Sequence, residues 1–240
     1  MSQFSLTRPT LAEINTDRLA FNLRSVRDFV GHGVEYMAVV KANAYGHGAA
    51  HCSVRLEREG VDWFGVAIPE EGVELRQAGI TKPILSLGGF WPGQEELVIE
   101  HRITPVIFGI ENAERFNAAA KQAVDIHVKI DTGMGRVGIP FREAGTFAEM
   151  LRRLKRLRVQ GLMTHFAAAD DLSETPFTQC QIERLNEAVA VFRRHGFDPE
   201  YVDMANSPGA IAHPASRGNM VRLGGVLYGL GGDVLPAGIE

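Results

Sequence analysis

The chain has 240 residues, 45% hydrophobic and 22% charged, with a formal net charge of −4, an ordinary balance for a soluble globular protein of one large α/β domain or two small ones. That charge gives no general pull toward nucleic acid or an anionic membrane, no apolar run reaches the roughly 18–20 residues that span a bilayer, and the N-terminus lacks the blocks of a signal peptide. Cys52 and Cys180 stand far apart outside any CxxC pattern, so a reducing cytoplasm is expected, with neither a disulfide framework nor structural zinc.

In chain order, the apolar stretch 10–14 (TLAEI) reads as a strand and is followed by a long helix over 17–30. Short apolar strands then alternate with longer amphipathic segments. Strands are expected at 36–40, 63–67, 83–87, 104–108, 124–130, 159–163, 201–204 and 220–223, with helices at 47–58, 69–77, 94–100, 111–121, 142–157, 178–194 and 207–212. Continuous apolar strands joined by helix-length connections argue for a parallel sheet covered on both faces. Eight of them argue for a closed (β/α)8 TIM barrel. The expectation is a single domain over 1–240 with its core at about 31–230, one surplus N-terminal strand near 10–15, and no C-terminal β domain.

Neither GxGxxG nor a P-loop follows the first strand, which removes the usual signature of nucleotide-binding open sheets. Polar residues gather instead just past strand ends: Lys41, Arg136, His165, Ser207 and Gly224. In a barrel those positions share the rim where active sites are built.

Each rim group carries two readings. Lys41 ends an apolar strand and precedes small residues in AVVKANAYGHG. It either snorkels to solvent or, in a dry barrel mouth, loses part of its preference for the charged form and serves as a Schiff-base amine. Arg136, in the loop of KIDTGMGRVG, either pairs with a surface acid or offers a fork to a carboxylate or phenolate. His165 is either a hydrogen-bonded core histidine or a site residue. Ser207 in NSPG reads as a helix N-cap before Pro208, or as a hydroxyl that joins the Gly224 and Gly225 amides in an anion cradle. Arg222, inside the last strand, needs an acceptor. His47 and His51 have the spacing of two metal ligands on a helix, but with no HExxH and no third ligand no metal is expected. RRLKRLR (152–158) reads as a solvated helix face over an apolar stripe.

KANAYGHG, KIDTGMGRVG, THFAAAD, ANS and VRLGGVLYG occur here in an order and spacing that resemble the alanine racemases, pyridoxal-phosphate enzymes of the barrel fold type, over about residues 11–230. The resemblance implies that Lys41 holds pyridoxal 5'-phosphate as an aldimine and serves as one of two bases that interconvert L- and D-alanine. It implies that Tyr45, Ser207, Gly224 and Gly225, with Asn206 beside them, bind the cofactor phosphate. Arg222 would face the pyridine nitrogen, Arg136 the phenolic oxygen and the substrate carboxylate, and His165 the ring. Lys129 resembles a lysine often carbamylated in the family, bracing Arg136. Gly225 stands where a bulkier apolar residue is usual, which a backbone amide ligand tolerates. The family is homodimeric, and its second base is a tyrosine of a β-rich second domain. None of Tyr36, Tyr45, Tyr201 or Tyr228 matches it, so a fragment or truncated form is expected. Two other readings compete: a stand-alone pyridoxal-phosphate homeostasis barrel without racemase activity, and a barrel hydrolase with Lys129 as a carbamate metal ligand. The second would want an HxH on the first strand, where Lys41 stands.

Overall fold

The computed structural model describes residues 10–230. Its strands are β1 (Glu35–Val39), β2 (Trp63–Val66), β3 (Ile84–Ser86), β4 (Ile103–Ile107), β5 (Val124–Asp131), the two-residue β6 (Ile139–Pro140), β7 (Leu157–Met163), β8 (Tyr201–Asp203) and β9 (Met220–Leu223). All pairings are parallel. β1 pairs with both β2 and β9, and β4 with β5, so eight strands close on themselves while β6 rides on the end of β5. Closure removes the sheet edges that an open sheet would have to protect. The helices are α1 (Thr16–Val30), a single turn α2 (Lys41–Tyr45), α3 (Ala49–Arg58), α4 (Pro69–Gln77), α5 (Glu95–Glu100), α6 (Ile110–Ala119), α7 (Ala144–Leu151), α8 (Thr175–Arg194) and α9 (Ser207–Ala212). None among the described residues is long and apolar enough to cross a membrane.

The period of two along each strand divides the core. Ala38, Phe64, Ile84, Ile107, Val128, Leu162 and Val221 pack outward against the helices, in one cluster with Leu23, Leu56, Leu75, Phe116, Leu185 and Phe192. Met37, Trp63, Leu85, Val106, Met163, Tyr201 and Met220 form a second cluster that fills the barrel interior. Inward glycines make room for it. A Cβ on Gly161 would lie 2.6 Å from the His127 ring.

Three local expectations are corrected. Residues 10–14 form no strand: Leu11 and Ile14 are exposed and nothing among the described residues pairs with the stretch, and an extended segment without a ladder partner is not a strand. The helix expected over 142–157 stops at Leu151 in α7. RRLKRLR is therefore a turn and the start of β7, because the chain must reverse to re-enter the barrel; Arg158 on β7 pairs with Asp125 on β5. α3 starts only at Ala49, after Gly48 at φ 90°, so His47 and His51 do not share a helical face. His47 instead sets Nδ1 3.0 Å from the Ala44 carbonyl oxygen.

Candidate active site

At the C-terminal ends of the strands the barrel opens into a cavity of about 590 Å³, a size that suits a cofactor and a small substrate. β1 delivers Lys41 to it through an unusual turn. Ala42, Asn43, Ala44 and Tyr45 all have φ between 51° and 54°, a left-handed run of four non-glycine residues. Each such residue costs roughly 1–2 kcal/mol relative to the right-handed form, so surrounding bonds must impose it. Glu71 of α4 accepts hydrogen bonds from the amides of Ala42 and Ala67, both at 2.7 Å, and joins the ends of β1 and β2. Asn43 Oδ1 accepts from the Ala49 amide at 2.7 Å. Lys41 is half-buried, and burial, followed by Arg136 and Arg222, moves its amine below the usual lysine range, with Glu71 partly opposing the shift.

The opposite wall comes from β8 and β9. Arg222 is buried and held at both terminal nitrogens: NH2 donates to the Thr164 carbonyl at 2.8 Å and the Met204 carbonyl at 3.2 Å, while NH1 pairs with the fully buried Asp203. Burial raises the Asp203 carboxyl and Arg222 draws it back. His165 Nδ1 lies 3.4 Å from the same guanidinium. Burial, then Arg222 and the other cations around it, hold His165 down to about 3, so its ring is neutral at ordinary pH. Lys129 on β5 is 8% exposed and has no side-chain hydrogen bond among the described residues; burial and then Arg222 and Arg136 pull it down to about 8. Arg136 sits exposed at the mouth, in a loop whose Gly133 and Gly135 amides donate to the Asp131 carboxylate.

The last corner is a cradle. Ser207 Oγ accepts the Gly224 amide at 2.9 Å, and a Cβ on Gly224 would stand 2.6 Å from the Tyr45 hydroxyl. The absence of a side chain at Gly224 therefore lets Tyr45 reach this corner. Tyr228 backs it, with its ring 4.9 Å from that of Tyr45 and its hydroxyl donating to the Val39 carbonyl at 3.1 Å. The N-cap of α9 is Asn206, which accepts the Gly209 amide at 3.0 Å, rather than Ser207. That frees the serine hydroxyl for the cradle, where it takes up one of the two amides expected to be open.

The sequence model of the family described as "Alanine racemase, N-terminal domain" matches residues 14–231. The chain belongs to that family. It is 43% identical over 239 residues to an alanine racemase of Geobacter sp. (strain M21), covering 97% of this chain and 62% of that protein. It is 39% identical to one from Symbiobacterium thermophilum over 93% of this chain and 59% of the relative. A solved alanine racemase of Clostridium difficile 630 superposes with a TM-score of 0.89 at 37% identity, over 93% of this chain and 63% of that one. The chain thus spans less than two thirds of the length of these relatives.

In this chain, Lys41, Tyr45, Lys129, Arg136, His165, Asn206, Ser207, Arg222, Gly224 and Gly225 all line this cavity, although they come from distant parts of the sequence. Sequence reasoning missed Glu71 and Asp203. It also missed Gln181, fully buried on α8, whose amide bonds Thr132, the His165 carbonyl and the Ala167 amide and so ties two rim loops together. Asp203 had a legible signal, an acid at an inward position of a strand two residues before ANS. Gln181 had none, since its partners lie far away in sequence.

Proposed function

We propose that this domain binds pyridoxal 5'-phosphate on Lys41 and takes part in the racemisation of alanine. The observation that carries the reading is that a half-buried lysine of lowered proton affinity, an anion cradle and a buried arginine face one another across a single cavity. The residues fit the cofactor. The Tyr45 and Ser207 hydroxyls, with the Gly225 amide, offer donors for a phosphate, and the gap at Gly224 would close if a side chain filled it. Arg222 would meet the ring nitrogen, and Arg136 at the mouth would receive the substrate carboxylate.

When bound, the cofactor supplies the electron sink that weakens the substrate Cα–H bond. Lys41 then moves the proton on its side of the substrate, and its lowered proton affinity leaves more of the free amine near neutral pH. Arg222 donates and does not accept, so beside the ring nitrogen it would favour the unprotonated form and thereby the return of the proton to Cα over transamination. Lys129, at about 8 and beside Arg136 in charge, has the free-amine fraction that carbamylation requires; as a carbamate it would brace Arg136. Racemisation also needs a base on the opposite face, worth roughly 10²–10⁴ in rate. Among the described residues that line the cavity, Lys41 is the one base assigned here.

The test is to mix the protein with pyridoxal 5'-phosphate, follow the visible spectrum, reduce with borohydride and map the adduct. A yellow band and a stable adduct on Lys41 are expected. No band, or an adduct elsewhere, overturns the reading. Chiral analysis of the loaded protein with L-alanine then separates a racemase from a barrel that only stores the cofactor.

A further inference from the structure

Asp203 is the one acidic residue among the buried side chains of the described chain, and none of its surface is exposed. The charged groups around it are cationic: Arg222 of β9 in direct contact and Lys129 of β5 within electrostatic reach, while Lys41 and Arg136 line the cavity beyond. His165 at the end of β7 is neutral there. Burying a carboxylate with a guanidinium brings little net stability, because desolvation offsets most of the attraction. Packing alone therefore does not account for the pair.

The donors of Arg222 show what the pair does. NH1 faces Asp203, both its carboxylate and, at 3.4 Å, its carbonyl. NH2 is held by the Thr164 and Met204 carbonyls. Nε–H alone has no partner among the described residues, on a side chain that lines the cavity. A guanidinium has five N–H groups in a rigid fork, so anchoring NH1 and NH2 fixes where the fifth points.

We propose that Asp203 is a positioning residue for Arg222. It locks the fork so that Nε–H is the donor left for the cavity, and its negative charge weakens the field that Arg222 exerts on a basic nitrogen bound there. The proposal rests on the reading of the cavity as a pyridoxal-phosphate site.

The test compares Asp203→Asn, nearly the same size without the charge, with the unaltered chain, both loaded with pyridoxal 5'-phosphate, by titrating the visible band with pH. Losing one negative charge behind Arg222 should lower the titration midpoint by about one pH unit. A purely structural role would weaken the fold and the affinity but leave the midpoint in place, and an unchanged midpoint overturns the proposal. Failure of the unaltered chain to form any band that borohydride traps would instead refute the cofactor reading, before the variants are compared. A measurement without cofactor covers the case in which Asp203→Asn folds poorly. In urea unfolding, Asp203→Asn combined with Arg222→Gln should be more stable than Asp203→Asn alone, since the unpaired buried cation is gone. Strictly additive losses would overturn the pairing.

Discussion

His127 and Lys129 both point inward from β5, two residues apart, and their surroundings share almost nothing. His127 is fully buried in a triangle with the rings of Trp63 and Tyr201, at 5.5 and 5.8 Å, and burial holds it neutral at about 3. Lys129 looks into a cavity that also holds Lys41, Arg136 and Arg222. The same step recurs on β8, from Tyr201 to Asp203, and on β9, from Met220 to Arg222. A two-residue step is about 6.6 Å along a strand. Within that distance the barrel passes from a packed aromatic layer to one rich in cations at the cavity wall. The comparison teaches that the closed end supplies rigidity, while the open end concentrates like charges that only the rigidity of the other end makes tolerable.

Substitutions at either end can break or sharpen this contrast. The largest effect is expected at the closed end. Gly161→Ala would drive a methyl into the His127 ring, which is fully buried and backed by two other rings that limit its retreat. We expect a loss of about 3 kcal/mol in urea unfolding, and a loss below about 0.5 kcal/mol would show the closed end to be loose.

At the open end the sign reverses. Lys129 has a folded value of about 8, below the roughly 10.4 of an unfolded lysine. Between these values the unfolded chain binds more protons than the folded one, so stability rises with pH through that window. Lys129→Met should therefore stabilise the protein by roughly 2 kcal/mol at pH 7, after allowance for water in the cavity, and the gain should vanish above about pH 10.4. An equal gain at pH 7 and pH 10.5 would rule out charge as its source.

A smaller effect concerns binding alone. Gly224→Ala should push the Tyr45 hydroxyl out of the cradle. About tenfold weaker binding of pyridoxal 5'-phosphate, roughly 1.4 kcal/mol, should accompany an unchanged unfolding midpoint. Altered stability with unaltered affinity would instead make that corner structural.

The eight barrel strands were legible because each is a short apolar run ended by a polar or small residue, and in a barrel all such ends face one way. The residues brought together at the cavity were legible for the same reason. Residues 10–14 misled because an apolar stretch shows what could pair, whereas a strand exists only where a partner does. RRLKRLR misled because leucines three apart suit a helix as well as the turn and strand entry that Leu154 and Leu157 make here. The left-handed turn after Lys41 was invisible because no residue in KANAY prefers that conformation strongly. It is held by Glu71 and Asn43, so its cause lies partly on another helix. Asp203 was passed over because its partner comes 19 positions later, from a neighbouring strand.

That borrowed turn has a consequence for how the molecule comes together in time. A mirror-handed turn of four L-residues has no local drive to form, so it can set only after β1, β2 and α4 have brought Glu71 and the Ala42 amide within reach. Ala42→Gly would ease the local backbone by about 1 kcal/mol. If the turn is the last part to order, that gain should appear almost wholly as slower unfolding, with the refolding rate unchanged; faster refolding would place the turn in the nucleus. On this account a nascent barrel is complete in shape before Lys41 is in position.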